Sequence, residues 1–314
     1  MSNNFIQLSP RISLIDGFDL GLKERTGTYV INEDKITLIE SGPSPSVPHV
    51  LAGLESMGIK PEQIDYLIVT HIHLDHAGGA GLLLEKCPNA KLVVHPKGAR
   101  HLMNPSRLIA GAKAVYGEKF DLLFDPIVPI QEDRILIKND LDTLLIGDKC
   151  NLEFYDTPGH ANHHFSIYDP VSNGIFTGDT IGVHYQALAN DHIHFVLPST
   201  SPNQFNPESM IESLNKIQSL NVDAIYFGHY SLSKQPNLVY EQVRKWLNEF
   251  VAIGETVFKK SGSINELSNT LFTSIQADLD NIGVSREHPV YEHIKLDLQV
   301  CSMGIVDFLS KKYK

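Results

Sequence analysis

Four side chains able to bind a metal crowd into six positions, His71, His73, Asp75 and His76, within the run Thr70-His71-Ile72-His73-Leu74-Asp75-His76-Ala77-Gly78-Gly79. Three imidazoles and a carboxylate this close are awkward to pack as core, because buried polar groups are costly without partners; a cation turns the same crowding into attraction. The two-residue period of extended chain sends His71 and His73 to one side, and Asp75 and His76 fall where the chain turns into a helix. One pair is placed for one ion and the next pair for a second. Further donors stand at His160 in Thr157-Pro158-Gly159-His160, at Asp179 in Thr177-Gly178-Asp179-Thr180, and at His229 in Phe227-Gly228-His229-Tyr230, each just past an apolar run. Nitrogen and oxygen donors without sulfur suit zinc, iron, manganese or cobalt, and this set exceeds what one tetrahedral ion takes. Two divalent ions are expected, zinc first, with iron or manganese as alternatives.

Two cations roughly 3.5 to 4 Å apart share a water and lower its pKa toward neutrality. The expected chemistry is hydrolysis, a metal-bridging hydroxide attacking a carbonyl or phosphoryl centre. Asp75 is the candidate proton carrier, and Tyr185 and Tyr230 are candidate donors to the oxygen that becomes negative. Gly78-Gly79 lacks the Lys-Ser/Thr ending of a phosphate-binding loop and reads as a tight reversal.

These donors need strand ends to hold them. Apolar runs at Ile12 to Ile15, Thr28 to Ile31 and Ile36 to Ile39 read as a meander, and Asp65 to Thr70 as a buried strand feeding the histidine run. A helix from about Gly79 to Lys86 and a strand at Lys91 to Val94 follow, then helical Pro105 to Phe124. A second strand-rich block comprises Ile135 to Ile137, Thr143 to Ile146, Leu152 to Tyr155, Phe165 to Tyr168 and Gly174 to Thr177. Two such halves predict two sheets packed face to face with helices outside. Gly182 to Asn206 reads as a long loop of lid type, holding His184, Tyr185, His192 and His194. Pro207 to Leu220 is a helix with Asn206 before it, Ala224 to Phe227 a last strand, and everything beyond Tyr230 is helical.

The chain has 314 residues, 42% hydrophobic and 20% charged, which excludes disordered, collagenous and membrane-spanning classes. Its net charge of −11 repels phosphate backbones, so no nucleic-acid partner is expected. The first twenty residues lack a leader pattern, and no stretch reaches the length of a membrane helix, so a cytoplasmic protein without a membrane partner is expected. Cys87, Cys150 and Cys301 are widely spaced and indicate free thiols. Twelve of the 15 histidines lie between His71 and His229, the stretch that carries every metal donor named above.

THIHLDHAGG, TPGH, FTGDT and FGH, in this order and after strands, resemble the metal-binding motifs of the metallo-β-lactamase superfamily over roughly residues 10 to 235. The resemblance implies a four-layer αββα sandwich of the α/β (α+β) class, with a catalytic domain at 1–235 and a helical C-terminal extension at 236–314. It assigns His71, His73 and His160 to one metal, Asp75, His76 and His229 to the other, and Asp179 to the bridge. It implies a hydrolase of a small ester, lactone or thioester; the alternative is a di-iron protein that binds or reduces dioxygen. Flavodiiron relatives have Glu where this chain has His73, which favours hydrolysis. The sequence departs from the family pattern at Glu40-Ser41-Gly42, where Asp is common in place of Glu, a position that orients ligands. It departs again at Ala161-Asn162-His163-His164, where a glycine is frequent. The substrate, the native metal and the oligomeric state, a homodimer included, stay open at this point.

Overall fold

The computed structural model describes residues 4–314. Contacts divide the chain into two compact units, the first made of the described residues up to Asp156 together with His163–Gly178 and Val222–Lys234.

In this first unit β1 (Phe5–Gln7), β2 (Ile12–Asp16), β3 (Gly27–Ile31) and β4 (Ile36–Ile39) form an antiparallel meander. The sheet continues in parallel through β5 (Ile64–Ile68), β6 (Lys91–Val94) and β7 (Ile135–Ile137). Parallel pairing demands crossovers. The first is α1 (Val47–Ser56); the second is α2 (Leu74–Ala77) with α3 (Ala80–Lys86); the third is α4 (Pro96–Met103), α5 (Ser106–Tyr116) and α6 (Phe120–Phe124). Helix α1 turns Val47, Val50 and Leu54 inward at helical spacing, and they join Leu83 and Leu84 of α3 over one face of the sheet.

The other face meets a second sheet. It is built from β8 (Thr143–Gly147), β9 (Cys150–Asp156), β10 (Phe165–Asp169) and β11 (Gly174–Phe176). The chain then leaves for the second unit, where β12 (Val183–His184) pairs with β13 (Val196–Leu197), and returns as β14 (Ala224–Tyr226) and β15 (Leu232–Ser233). The resulting order is β15-β14-β11-β10-β9-β8. Along β9, Cys150, Leu152 and Phe154 are buried and alternate with half-buried neighbours, the signature of a strand with one face on a core. That core lies between the sheets: Ile12, Leu14, Tyr29, Ile39, Ile68 and Val93 from one side, Phe154, Phe165, Ile167, Phe176 and Tyr226 from the other. Phe154 meets Phe165 edge to face at 4.9 Å. Arg11 spans the two sheets at their rim, donating to Glu33 and to Asp169 of β10.

The second unit comprises Thr157–Asn162, Asp179–Asn221 and Gln235–Lys314. Its helices are α7 (Gln186–Ala189), α8 (Pro207–Ser219), α9 (Pro236–Lys259), α10 (Ile264–Asn281) and α11 (Val290–Lys312). Leu267, Leu271, Ile275 and Leu279 form a four-residue stripe on α10 and pack with Trp246 and Phe250 of α9 and Ile294, Leu298 and Ile305 of α11. Asn206 caps α8, accepting from the Ser209 N–H, and Ser263 caps α10, accepting from the Glu266 N–H. No described helix is long and apolar enough to cross a membrane.

The two packed sheets with helices and the extra C-terminal helices match the expected architecture. Two details differ. Ile135–Ile137, grouped with the second strand block from sequence, is the edge strand of the first sheet, paired in parallel with β6. A three-residue apolar run pairs as well in either sheet, and the crossover returns it beside β6. The segment 182–206 is not a plain loop: it contains β12, α7 and β13, and its Tyr185, Leu188, Phe195 and Leu197 enter the core of the second unit.

Phe154 is fully buried between the sheets. Phe154→Ala is expected to destabilise the protein by about 3–5 kcal/mol, the cost of truncating a packed core aromatic, measured by urea unfolding. A loss below about 1 kcal/mol would mean that the sheets are not closely packed there.

Candidate metal centre

Strand β5 delivers the histidine run. The Glu40 N–H donates to the Ile68 carbonyl, the Val69 N–H to Val93 and the Phe165 N–H to Thr70, so the exit of β5 is gripped from both sides. Ile72 turns into the apolar layer between sheet and helices, which leaves His71 and His73 facing the opposite way, as the two-residue period requires. His73 is extended (φ −63°, ψ 148°) and its carbonyl accepts from the N–H groups of His76 and Ala77, starting α2. Asp75 and His76 thus lie on the first turn.

The donors converge within this unit. His71 Nε2 lies 3.1 Å from His73 Nδ1. Asp75 Oδ2 is 3.7 Å from His76 Nε2 and 3.5 Å from Nε2 of His229. His71 and His76 are almost wholly buried, whereas the Asp75 side chain is 26% exposed. Ligand atoms of Asp75, His76 and His229 lie within 4.8 Å of one another, and those of Glu40, His71 and His76 form a second group of the same kind. Imidazole nitrogens and a carboxylate oxygen meeting at this spacing, without sulfur, fit a divalent ion of the zinc, iron or manganese type.

Packing around the cluster is tight enough to dictate glycines. A Cβ at Gly228 would stand 2.7 Å from His76 Cε1. At Gly178, whose φ of 47° already disfavours a side chain, it would stand 2.5 Å from His164 Nε2 and collide with the Thr70 hydroxyl. The turn carrying His229 is pinned by Tyr29, whose buried hydroxyl lies 2.7 Å from the Phe227 carbonyl oxygen and 2.5 Å from that of Ser231. His163 and His164 close the back of the cluster. His164 stacks on His71 at 5.0 Å, His163 meets His73 edge-on at 5.5 Å, and both are buried.

The second unit holds His160 and Asp179, with His160 Nε2 3.6 Å from Asp179 Oδ2 and both side chains buried. His160 Nδ1 is 2.9 Å from the Ser199 carbonyl oxygen, which only accepts; Nδ1 therefore carries the proton and Nε2 keeps its lone pair. The Ser199 hydroxyl donates to Asp179 at 3.0 Å. The loop is fixed by Ser213 donating to the Pro158 carbonyl and Thr180 donating to that of Thr157.

The structure thus brings His71, His73, Asp75, His76 and His229 together in the first unit, and His160 and Asp179 together in the second. Tyr230 is buried with the core between the sheets, where burial raises its pKa. Tyr185 is buried in the core of the second unit, its hydroxyl donating to Asp297 at 2.9 Å. His184 is nearly buried beside His194, ring centres 4.9 Å apart, and burial, then the neighbouring imidazole, pushes its pKa down to about 3. His194 Nδ1 contacts the Gln242 side-chain oxygen at 3.3 Å. Sequence reading missed Thr70 and Ser199 as partners of the cluster residues; a hydroxyl one position before a histidine and a serine in a loop carry no pattern of their own.

The model of the metallo-beta-lactamase superfamily matches residues 25–229. The chain belongs to this superfamily. It is 26% identical over 226 residues to the metallo-beta-lactamase fold-containing protein ST1585 of Sulfurisphaera tokodaii, covering 70% of this chain and 78% of that one. It is 28% identical to the probable metallo-hydrolase MJ0888 of Methanocaldococcus jannaschii, covering 69% and 94%. Its fold is that of the crystal structure of ST1585, with a TM-score of 0.68 at 21% identity over 95% of this chain and 98% of that one. A metallo-beta-lactamase family protein of Thermus thermophilus gives 0.67 at 17% identity over 98% and 95%. Together with the donor clusters, membership supports a metal-dependent hydrolase with a candidate two-metal site.

His184 generates a pH dependence of stability. Between pH 6.5 and about 3 the unfolded chain binds a proton at this residue that the folded chain does not, so its contribution is complete above 6.5 and declines as pH falls through that window. In urea unfolding from pH 7 down to pH 5, His184→Gln is expected to lose stability less steeply than the parent. Parallel curves would show that His184 titrates alike in both states.

Proposed function

We propose that the protein is a dinuclear metal-dependent hydrolase of small esters, lactones or thioesters. The observation that carries the reading is the convergence of Asp75, His76 and His229 beside buried His71 at the end of β5. The family match runs through His160 and Asp179 as well as through these residues, which supports joining all of them in one centre. His71, His73 and His160 would hold one ion and Asp75, His76 and His229 the other, with Asp179 between them. Zinc fits first, iron or manganese second.

Such a pair of ions supplies positive charge for the substrate's oxygen and a water acidic enough to act as nucleophile near neutral pH. The chain's own side chains do the rest. Asp75 is suited to carry the released proton, because it touches His76 and His229 yet keeps a quarter of its surface in solvent. His160 presents Nε2 because Ser199 holds Nδ1, and the Ser199 hydroxyl orients Asp179. Tyr230 and Tyr185 are the proposed donors to the substrate oxygen, Tyr185 by exchanging its bond to Asp297 for one to substrate. The net charge of −11 favours a small substrate over a polyanion, in a cytoplasmic setting without nucleic-acid or membrane partners.

A second reading has support in the relatives. The chain is 29% identical over 175 residues to diflavin flavoprotein A 1 of Synechocystis, spanning 26% of its length. It is 33% identical over 72 residues to the rubredoxin-oxygen oxidoreductase of Megalodesulfovibrio gigas. Reaction with dioxygen is favoured by hard carboxylate ligands, and the imidazole of His73 weighs towards hydrolysis.

Protein of measured metal content, assayed on lactone, thioester, ester, phosphodiester and β-lactam panels, is expected to hydrolyse a member of the first three. Asp179→Ala is expected to lose that turnover while keeping its far-UV circular dichroism. Oxygen consumption by a doubly loaded protein inert on every panel would replace this reading with the second.

A further inference from the structure

Across residues 86–117 the chain carries six lysines and arginines and no aspartate or glutamate, although the protein as a whole has a net charge of −11. The second half of that stretch folds into α4 and α5. On α4, Lys97, Arg100, His101 and Asn104 recur at helical spacing and form one face, opposite buried Gly98, Ala99 and Leu102. Asn104, in extended conformation, ends the helix, and its side-chain oxygen accepts from the N–H and the hydroxyl of Ser106, which turns the chain into α5. Arg107, the second residue of α5, follows at once.

Both arginines act on one half-buried imidazole. Arg100 Nε donates to His101 Nε2 at 3.2 Å, so that nitrogen offers a lone pair and the ring is neutral. Burial, then the charges of Arg100 and Arg107, hold the pKa of His101 below the ordinary histidine value. Among the described residues Lys97, Arg100 and Arg107 form no ion pair. Cations gathered at one corner without a carboxylate repel one another, and an oxyanion set among them turns the repulsion into attraction.

The corner adjoins the metal turn. A Cβ at Gly98 would stand 2.8 Å from Cγ2 of Ile72, so α4 rests on the residue between His71 and His73. Leu108 and Ile109 of α5 pack with Leu74, the residue between His73 and Asp75.

We propose that the α4–α5 corner is an oxyanion subsite, in which Arg100 and Arg107 hold a carboxylate or phosphate on the part of the substrate remote from the bond that is cut. The assignment to the substrate rests on the hydrolase reading above; the capacity to bind an oxyanion does not. Guanidinium forks match the edges of both anions. A small basic corner on an acidic protein suits a small substrate with one charged end, because the remaining surface repels a polyanion.

His101 is the reporter for the test. Its ring resonances, followed by NMR in the full chain, are expected to shift saturably as succinate or inorganic phosphate is added, and its pKa to move up, because the bound anion offsets the two guanidinium charges. Sodium chloride at equal ionic strength is expected to give a smaller, non-saturating change. Arg100→Gln and Arg107→Gln are each expected to weaken the anion about 10-fold, the loss of one charge-assisted contact. The tighter of the two titrations tells carboxylate from phosphate. In a second arm, esters that differ by a terminal carboxylate or phosphate are compared. The parent is expected to favour the charged ester through KM, and Arg107→Gln to reduce that preference about 10-fold. Equal responses to chloride and the oxyanions, or unchanged binding in both variants, overturn the subsite. Saturable binding without preference for a charged ester overturns its assignment to the substrate. A protein that hydrolyses none of the esters defeats the hydrolase reading, and the titration alone then decides the subsite.

Discussion

The structure depends on a local excess of buried polar donors. His71 and His76 are 0% and 1% exposed, and Glu40, also buried, stands 3.5 Å from His76. Neutral imidazoles confronting one another at about 3 Å gain little, and carboxylates removed from water lose several kcal/mol of hydration each. Such a grouping persists where a cation completes it or where every proton has an assigned place, and Thr70 supplies part of that assignment.

Much of the remaining architecture holds these donors still. The crossovers of the first sheet make β5 and β6 parallel neighbours, so one strand end can be gripped by the other. The tyrosine at position 29 illustrates how core and site are joined. Its ring packs edge-on against Phe176 and Tyr226 between the sheets, while its hydroxyl fixes the turn that bears His229. A packed aromatic has few rotamers, so the polar tip inherits the rigidity of the core. Gly178 and Gly228 contribute by what they lack, since imidazoles occupy the volume a methyl group would need.

The residues legible in the sequence were those whose chemistry and spacing are local. Four donors in six positions, on a strand that alternates, announce themselves, and Ile72 between two histidines confirms the alternation in the structure. Glu40 was visible only as a departure from a pattern; its double contact with Thr70 and His76 depends on a left-handed backbone that no propensity predicts. Ile135–Ile137 was misplaced because sheet membership is decided by where a crossover lands rather than by the run itself. The segment 182–206 read as a loop because its strands have two residues each, too short for periodicity, although its apolar side chains are fully enrolled in a core. The C-terminal helices were plain because stripes such as Leu267, Leu271, Ile275 and Leu279 persist over several turns.

The way Tyr29 and the β5 exit are anchored bears on the order of events in biosynthesis. Small zinc modules remain unfolded until their ion arrives, since the ion is their core. Here two hydrophobic sheets close on each other without help from any donor, and the turn bearing His229 hangs from an aromatic already seated between them. Such a chain has a route to its fold that does not wait for a metal, so an ion taken up by this cluster would meet donors already in place.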